Sequence, residues 1–188
     1  MKVSVTQDTK QLDAFVKHLE GMKGMTVNVG FFEDSKYDNG VPVAYVAVIQ
    51  EFGSPRQGIP PRPFMRPTCV ANATKWQQQF AKGSADVADG KLTWLQVFEQ
   101  LGLKAAGDTR KTIAKIQTPP LSPVTLQLRA WKKAGIKITK KSQVLQAAHL
   151  VALGINDTLS GTAAKPLVDS GIMRNAITHK VTMTDVYK

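Results

Sequence analysis

The segment at 53–63, GSPRQGIPPRP, constrains the fold of this chain more than any other part of it. It holds two glycines and four prolines in eleven residues. Because proline fixes φ and lacks a backbone N–H, such a segment cannot join a regular hydrogen-bonded ladder. We therefore predict a stiff, extended loop at 53–63 with regular elements on both sides.

Three elements are expected before this loop. Apolar residues recur at helical spacing between Asp8 and Gly21, and MTVNVGFF at 25–32 alternates as a half-buried strand does. The run VAYVAVIQEFG at 43–53 fits a strand by its β-branched residues and a short helix by its length, so periodicity alone leaves it open.

Two longer helices are expected after the loop. The second begins near Leu92, and a break or bend is expected near Gly107, because glycine costs about 1 kcal/mol relative to alanine in a helix interior. The first has an apolar stripe, within which Cys69 is expected to be buried. Its members are Met65, Cys69, Ala73, Trp76 and Phe80.

The last third of the chain contains candidate N-caps for two short helices. Ser122 followed by Pro123 predicts the start of a short basic helix, and Asp169 or Ser170 is expected to cap another. Residues 136–164 are expected to form a connecting excursion or extended loop. Residues 176–186 alternate in polarity, as expected for a closing strand.

Taken together, the elements predict an α/β (α+β) chain, a single domain over 1–188. Its sheet is small, mostly antiparallel and flanked by helices.

Positive charge is concentrated in one stretch. The formal net charge is +11, and residues 104–141 carry ten basic side chains and one acidic one. A solvated face and a contact with a polyanion both fit this pattern. The candidate contacts with a partner or DNA are Arg129, Trp131, Lys132, Lys133, Lys140 and Lys141.

No catalytic, cofactor-binding or metal-binding residues are expected. None of the three histidines has a carboxylate or cysteine at metal-ligand spacing, Cys69 is the one cysteine, and no phosphate-binding glycine loop or nucleophile elbow occurs. The longest apolar run, at 43–49, is far short of the ~18 residues of a membrane span. A non-enzymatic protein of the cytoplasm, without a membrane partner, is predicted.

Three stretches resemble the tailed-phage virion morphogenesis or tail-completion (neck) families. The first is VAYVAVIQEFG at 43–53 with IPPRPFMRPT at 59–68, similar to a short helix ending in an acidic-aromatic-glycine triplet before a PxRPF loop. The second, PPLSPVTLQLR at 119–129, is similar to a PLSPxT helix start. The third, KPLVDSGIMRNAI at 165–177, resembles a KPLxDTG element with serine in place of threonine.

The resemblance implies a helix at 43–53 and a structural virion protein at the head-tail junction, assembled in the host cytoplasm. Such a protein forms a sixfold ring that contacts the tail tube or terminator on one face and the head connector or stopper on the other. Duplex DNA passes through its channel, and no cofactor is implied. The alternative is a sequence-independent DNA-binding protein that uses 104–141.

The motif residues are candidates for contacts between subunits or with a partner, since a preorganised loop loses little entropy on docking. In the alternative interpretation, the loop covers its own core. The candidates are Ile59, Pro60, Arg62, Phe64, Arg66, Asp169 and Ser170.

The net charge of residues 104–141 indicates which way their basic side chains should face in such a ring. A domain of this length is roughly 40 Å deep, and duplex DNA carries one charge per ~1.7 Å. If six copies of the chain directed the net positive charge of residues 104–141 into the ring channel, that charge would be about twice the negative charge of the DNA inside it. We expect most of these side chains to face partner proteins or the outside.

Overall fold

The computed structural model describes residues 9–155 and 164–184. They form a small α+β fold, as predicted. The elements in chain order are helix α1 (Thr9–Glu20), strand β1 (Met25–Gly30), helices α2 (Val43–Phe52), α3 (Met65–Ala88), α4 (Trp94–Lys115), α5 (Pro123–Lys133), α6 (Lys141–Ala152) and α7 (Ile172–Ala176), and strand β2 (Thr178–Met183). A single 3-10 turn, Pro55–Gln57, interrupts the proline-rich loop.

The sheet joins the two ends of the described chain. β1 and β2 are antiparallel, with Met25 opposite Met183 and Gly30 opposite Thr178. Residues of β1 alternate between half-buried and exposed, which is the pattern expected from the sequence. β1 ends two residues earlier than predicted, at Gly30, and β2 begins two residues later, at Thr178. Residues 185 and 186 of the predicted closing strand lie outside the described residues.

Internal contacts divide the chain into two compact units. Among the described residues, the sheet unit comprises 9–30, 68–108 and 178–184, and the loop unit comprises 31–67, 109–155 and 164–177.

The core of the sheet unit is aromatic and aliphatic. Trp94 and Phe98 are buried, and the ring of Phe80 lies edge-on to Phe98 with centroids 5.8 Å apart. The indole of Trp94 donates a 2.6 Å hydrogen bond to the backbone carbonyl of His18. This bond satisfies the polar atom of a buried aromatic side chain. Leu95, the neighbour of Trp94 in the chain, is by contrast 52% exposed.

Near its N-terminal end, helix α3 buries a different face from the one predicted, whereas Phe80 of the predicted stripe packs against the core. Cys69 and Ala73 are exposed, whereas Thr68 is buried and Asn72 is half-buried. The amide of Asn72 donates to the carbonyl of Thr68. At the N-terminal end of α3, the buried stripe is therefore formed by polar residues, and Cys69 is not part of it. The prediction that Cys69 is buried was wrong.

Helix α4 runs without a break through Gly107, against the predicted bend. Ala105, Ala106 and Asp108 around it are all buried. Packing on both sides of the glycine holds the helical conformation that its propensity disfavours.

In the loop unit, α5 begins as predicted, because the Ser122 hydroxyl accepts a 3.2 Å hydrogen bond from the Thr125 N–H. The 136–164 stretch contains a regular helix, α6, which packs against α5. The capped start expected at Asp169 or Ser170 lies one residue later, at Gly171, whose φ is +78°. Residues 156–163 of the expected excursion lie outside the described residues.

A search of the described helices finds none that is both long and apolar enough to cross a membrane.

Candidate functional site

Glu51, from the acidic-aromatic-glycine triplet, binds the start of α3. Its side chain is 4% exposed, and Oε2 accepts hydrogen bonds from the N–H groups of Phe64 at 2.6 Å and Met65 at 2.9 Å. Oε1 accepts from the backbone and the Nε of Arg66, at 3.2 and 3.0 Å. The first N–H groups of a helix have no partner within it, so this distant carboxylate acts as the cap of α3.

Burial by itself would raise the pKa of the Glu51 carboxyl. The hydrogen bonds from the N–H groups of Met65, Phe64 and Arg66, together with the Arg66 guanidinium, outweigh burial and hold this pKa below its usual value. The group is therefore a carboxylate in the folded protein at neutral pH.

The glycine of the triplet is required by close packing. Gly53 has a φ of +77°, and a Cβ at this position would lie 2.9 Å from the Ile59 carbonyl oxygen and from the Pro61 nitrogen. Any side chain would collide with the backbone of the proline-rich loop. The turn that follows α2 thus depends on this residue.

Arg62, from the PxRPF loop, is 5% exposed and holds the start of the second motif. Its Nε donates to the Pro119 carbonyl at 2.7 Å, its Nη2 to the Pro120 carbonyl at 2.9 Å, and its Nη1 to Gln50 Oε1 at 3.2 Å. Burial lowers the pKa of the guanidinium, and the charge of Arg129 lowers it further. Arginine remains a cation in proteins, so the three acceptors surround a buried charge.

Arg129, at the end of the second motif, holds the third. Its guanidinium donates to the carbonyls of Lys165 at 3.0 Å and Pro166 at 3.3 Å, and Nε lies 3.4 Å from Asp169 Oδ1. Burial lowers the pKa of Arg129, while the carboxylate of Asp169 opposes this shift. Arg62 thus joins the first motif to the second, and Arg129 joins the second to the third, while Glu51 joins the two halves of the first. The three motifs form one linked cluster in the loop unit.

The structure places the predicted contact residues in different environments. Arg62 and Phe64 are buried in their own chain, with Phe64 only 1% exposed. The prediction that these two side chains face a neighbour was therefore wrong, because their polar and apolar contacts are made within the subunit. Arg66 is 62% exposed at its side chain, Asp169 and Ser170 are exposed, and Ile59 and Pro60 are half-buried.

Asp169 and Ser170 also line a cavity of about 300 Å³ with Tyr37, Gln50 and Arg129. Burial raises the pKa of the Tyr37 hydroxyl, and the charge of Asp169 raises it further. The hydroxyl thus remains protonated at neutral pH and can donate a hydrogen bond.

The outer face of α2 was missed by the sequence analysis. Tyr45, Val48 and Phe52 are 58%, 57% and 62% exposed, although all are large and apolar. They recur at steps of three and four, so they share one side of the helix. The guanidinium of Arg66 lies 4.9 Å from the ring centroid of Phe52 and extends this surface. A helix that is apolar all round, VAYVAVIQEF, is the signal that could have indicated it.

The basic side chains of 104–141 are not equivalent. Lys104 pairs with Asp108 at 3.6 Å, Arg110 donates to the Ile177 carbonyl, and Arg129 pairs with Asp169. Trp131 is half-buried, whereas the lysines are exposed. Within the described residues, no three His, Cys, Asp or Glu side chains are grouped so as to hold a metal ion.

The chain matches no protein-family model, no curated protein and no solved structure.

Proposed function

We propose that this protein is a structural subunit of the head-tail junction of a tailed phage, a tail-completion protein that assembles as a ring. The supporting observation is the linked cluster of Glu51, Arg62 and Arg129. Arg62 of the first stretch binds carbonyls of the second, Arg129 of the second binds carbonyls of the third, and Glu51 holds the two parts of the first together.

This linkage strengthens the argument from the motifs. Three short strings separated by tens of residues could each arise by chance. Here a carboxylate needs the N–H groups after the PxRPF loop, an arginine needs the carbonyls before the PLSP helix, and a second arginine needs the KPL carbonyls. Residues that depend on one another in this way are expected to occur together wherever the same fold is used.

The subunit contact in this proposal is made by the outer face of α2, with Tyr45, Val48, Phe52 and the adjoining Arg66. Contiguous exposed apolar surface on a monomer commonly marks an interaction site. In a closed ring this surface contacts a different surface of the next copy, as heterologous interfaces do. The contact replaces the one expected from Arg62 and Phe64.

The role of the ring is mechanical. One face contacts the tail tube or terminator, the other contacts the head connector or stopper, and the channel admits duplex DNA. No cofactor and no catalytic step are part of the proposal.

The test is a mass measurement by light scattering, on the purified protein alone and after mixing with tail-tube protein. We expect a ring of several subunits in at least one of these conditions. Val48→Lys places a charge on the α2 face, so it should prevent ring formation while leaving the circular dichroism spectrum unchanged.

The matched control is Leu145→Lys, because Leu145 is 63% exposed on α6 and is not part of the proposed contact. It should assemble as the unmodified protein does. A wild-type protein that stays monomeric in both conditions would overturn the ring, and equal assembly of Val48→Lys would overturn the α2 contact.

A further inference from the structure

The connection between α5 and α6 is an exposed basic surface. Five of the ten residues from 132 to 141 are lysines, and the segment is named here the lysine turn. The chain has no Asp or Glu between Asp108 and Asp157, so no carboxylate of the hairpin offsets this charge. The lysines are Lys132, Lys133, Lys137, Lys140 and Lys141, all exposed.

The packing of α5 against α6 places the lysines at one end of a helical hairpin. α5 ends at Lys133 and α6 begins at Lys141, and the two helices pack against each other. The lysine turn is therefore the end of a helical hairpin. Lys132 lies 3.5 Å from Asp169, but the described carboxylates form no ion pair with Lys137 or Lys141. Like charges this close repel one another, and a bound anion would relieve that repulsion.

We infer that the lysine turn binds the phosphate backbone of duplex DNA without regard to sequence. The residue types favour phosphate over a protein partner. Protein interfaces are enriched in arginine and aromatic residues and depleted in lysine, whereas lysine is a common contact of DNA phosphates. The lysine turn holds five lysines and neither an arginine nor an aromatic residue.

This inference revises the charge estimate made from the sequence. That estimate counted every basic residue of 104–141 as available, but Lys104, Arg110 and Arg129 are engaged within the chain. Each subunit therefore has fewer positive charges available to bind DNA than that estimate assumed. DNA binding by the lysine turn does not require the ring, so the two proposals can fail separately.

The experiment measures binding of the full chain to a fluorescent duplex of arbitrary sequence by anisotropy, over about 50 to 200 mM salt. The logarithm of the association constant should fall linearly with that of the salt concentration, by about 0.9 per phosphate contacted. For Lys137→Gln with Lys141→Gln, we expect the slope to decrease by about 2 and the affinity at low salt to fall at least tenfold.

The control pair is Lys75→Gln with Lys82→Gln, which removes the same charge from exposed positions of α3. It should leave the slope unchanged. Equal losses in both pairs would show a general effect of net charge and overturn the site. Absence of binding at low salt would overturn it as well, as would binding to an acidic polypeptide such as polyglutamate that exceeds binding to the duplex.

Discussion

At the scale of single residues, a few buried charges act over long distances in the chain. Glu51 binds N–H groups 13 to 15 residues away, and Arg62 binds carbonyls 57 and 58 residues away. Hydrogen bonds to charged groups contribute about 1.5–3 kcal/mol each, and a buried group left without its partner costs a similar amount. These side chains are therefore expected to dominate the stability of the loop unit.

Glu51→Gln should lower the free energy of unfolding by about 2 kcal/mol at pH 7, because an amide has one acceptor oxygen in place of two and carries no charge. Urea denaturation followed by circular dichroism measures the loss. The control is Glu33→Gln, which changes an exposed carboxylate and should alter stability by less than about 0.5 kcal/mol. Equal losses in the two variants would contradict the capping role.

The lowered pKa of Glu51 also predicts a pH dependence. A carboxyl whose pKa is lower when folded stabilises the protein fully above the unfolded value, about 4.3, and this stabilisation is lost as the pH falls through the folded value. The stability difference between the wild type and Glu51→Gln should thus narrow between pH 5 and about 3. A difference that stays constant over this range would contradict the assigned shift.

Arg62→Lys tests whether charge alone is sufficient at the buried site. Lysine keeps the charge but cannot reach three acceptors in the fixed geometry of a guanidinium. We expect a loss of about 2 kcal/mol for lysine and at least 3 for alanine, measured by the same denaturation. A lysine variant as stable as the wild type would show that the hydrogen-bond geometry contributes little.

At the scale of elements, the close approach of α4 to the sheet determines which glycines of α4 tolerate substitution by a larger residue. A Cβ on Gly102 would lie 2.4 Å from Cδ2 of His179 and 2.7 Å from Cγ2 of Val27, while a Cβ on Gly107 would meet nothing within 4 Å. Both residues are in the same helix. Their intrinsic helix propensity is therefore the same, and packing alone distinguishes them.

Gly107→Ala should raise the melting temperature, since alanine is favoured in a helix by up to about 1 kcal/mol. Gly102→Ala should lower it, because the side chains of His179 and Val27 would have to shift to make room for the added methyl group. Differential scanning calorimetry of the two variants gives the comparison. A stabilising Gly102→Ala would mean that α4 and the sheet do not pack this closely.

The elements that could be predicted from sequence are those with local signals. Ser122 and Pro123 start α5 as expected, and the alternating residues of β1 and β2 pair with each other. The buried face of α3 could not be predicted, because Thr68 is buried by tertiary packing that its polarity does not indicate. The motif residues were found, but the roles of Arg62 and Phe64 depend on partners that spacing does not reveal.

At the scale of the whole molecule, neither compact unit is a continuous piece of chain. The sheet unit takes three separate stretches and the loop unit takes two. β1 and β2 belong to opposite ends of the described chain, and Val181 of β2 packs against the core that includes Trp94 and Phe98. The sheet unit therefore requires both ends.

A chain ended after Ile177 lacks β2 and should lose the cooperative unfolding transition of the sheet unit. A chain ended after Thr184 keeps the whole strand and serves as the control. Thermal unfolding monitored by circular dichroism, with limited proteolysis of the region before Gly30, compares the two. Equal melting temperatures and equal protease resistance would show that β2 is dispensable.

The pairing of β1 with β2 also sets an order of events during synthesis. β1 leaves the ribosome early, but 147 residues separate Gly30 from Thr178, its partner in the ladder. At about 5–20 residues per second, the translation of this interval takes roughly 7 to 30 s. Throughout that time the edge of β1 has no strand to pair with, and unpaired edges are prone to aggregate. Until β2 is made, Met25, Val27 and Val29 can be covered only by other parts of the nascent chain or by another protein such as a chaperone.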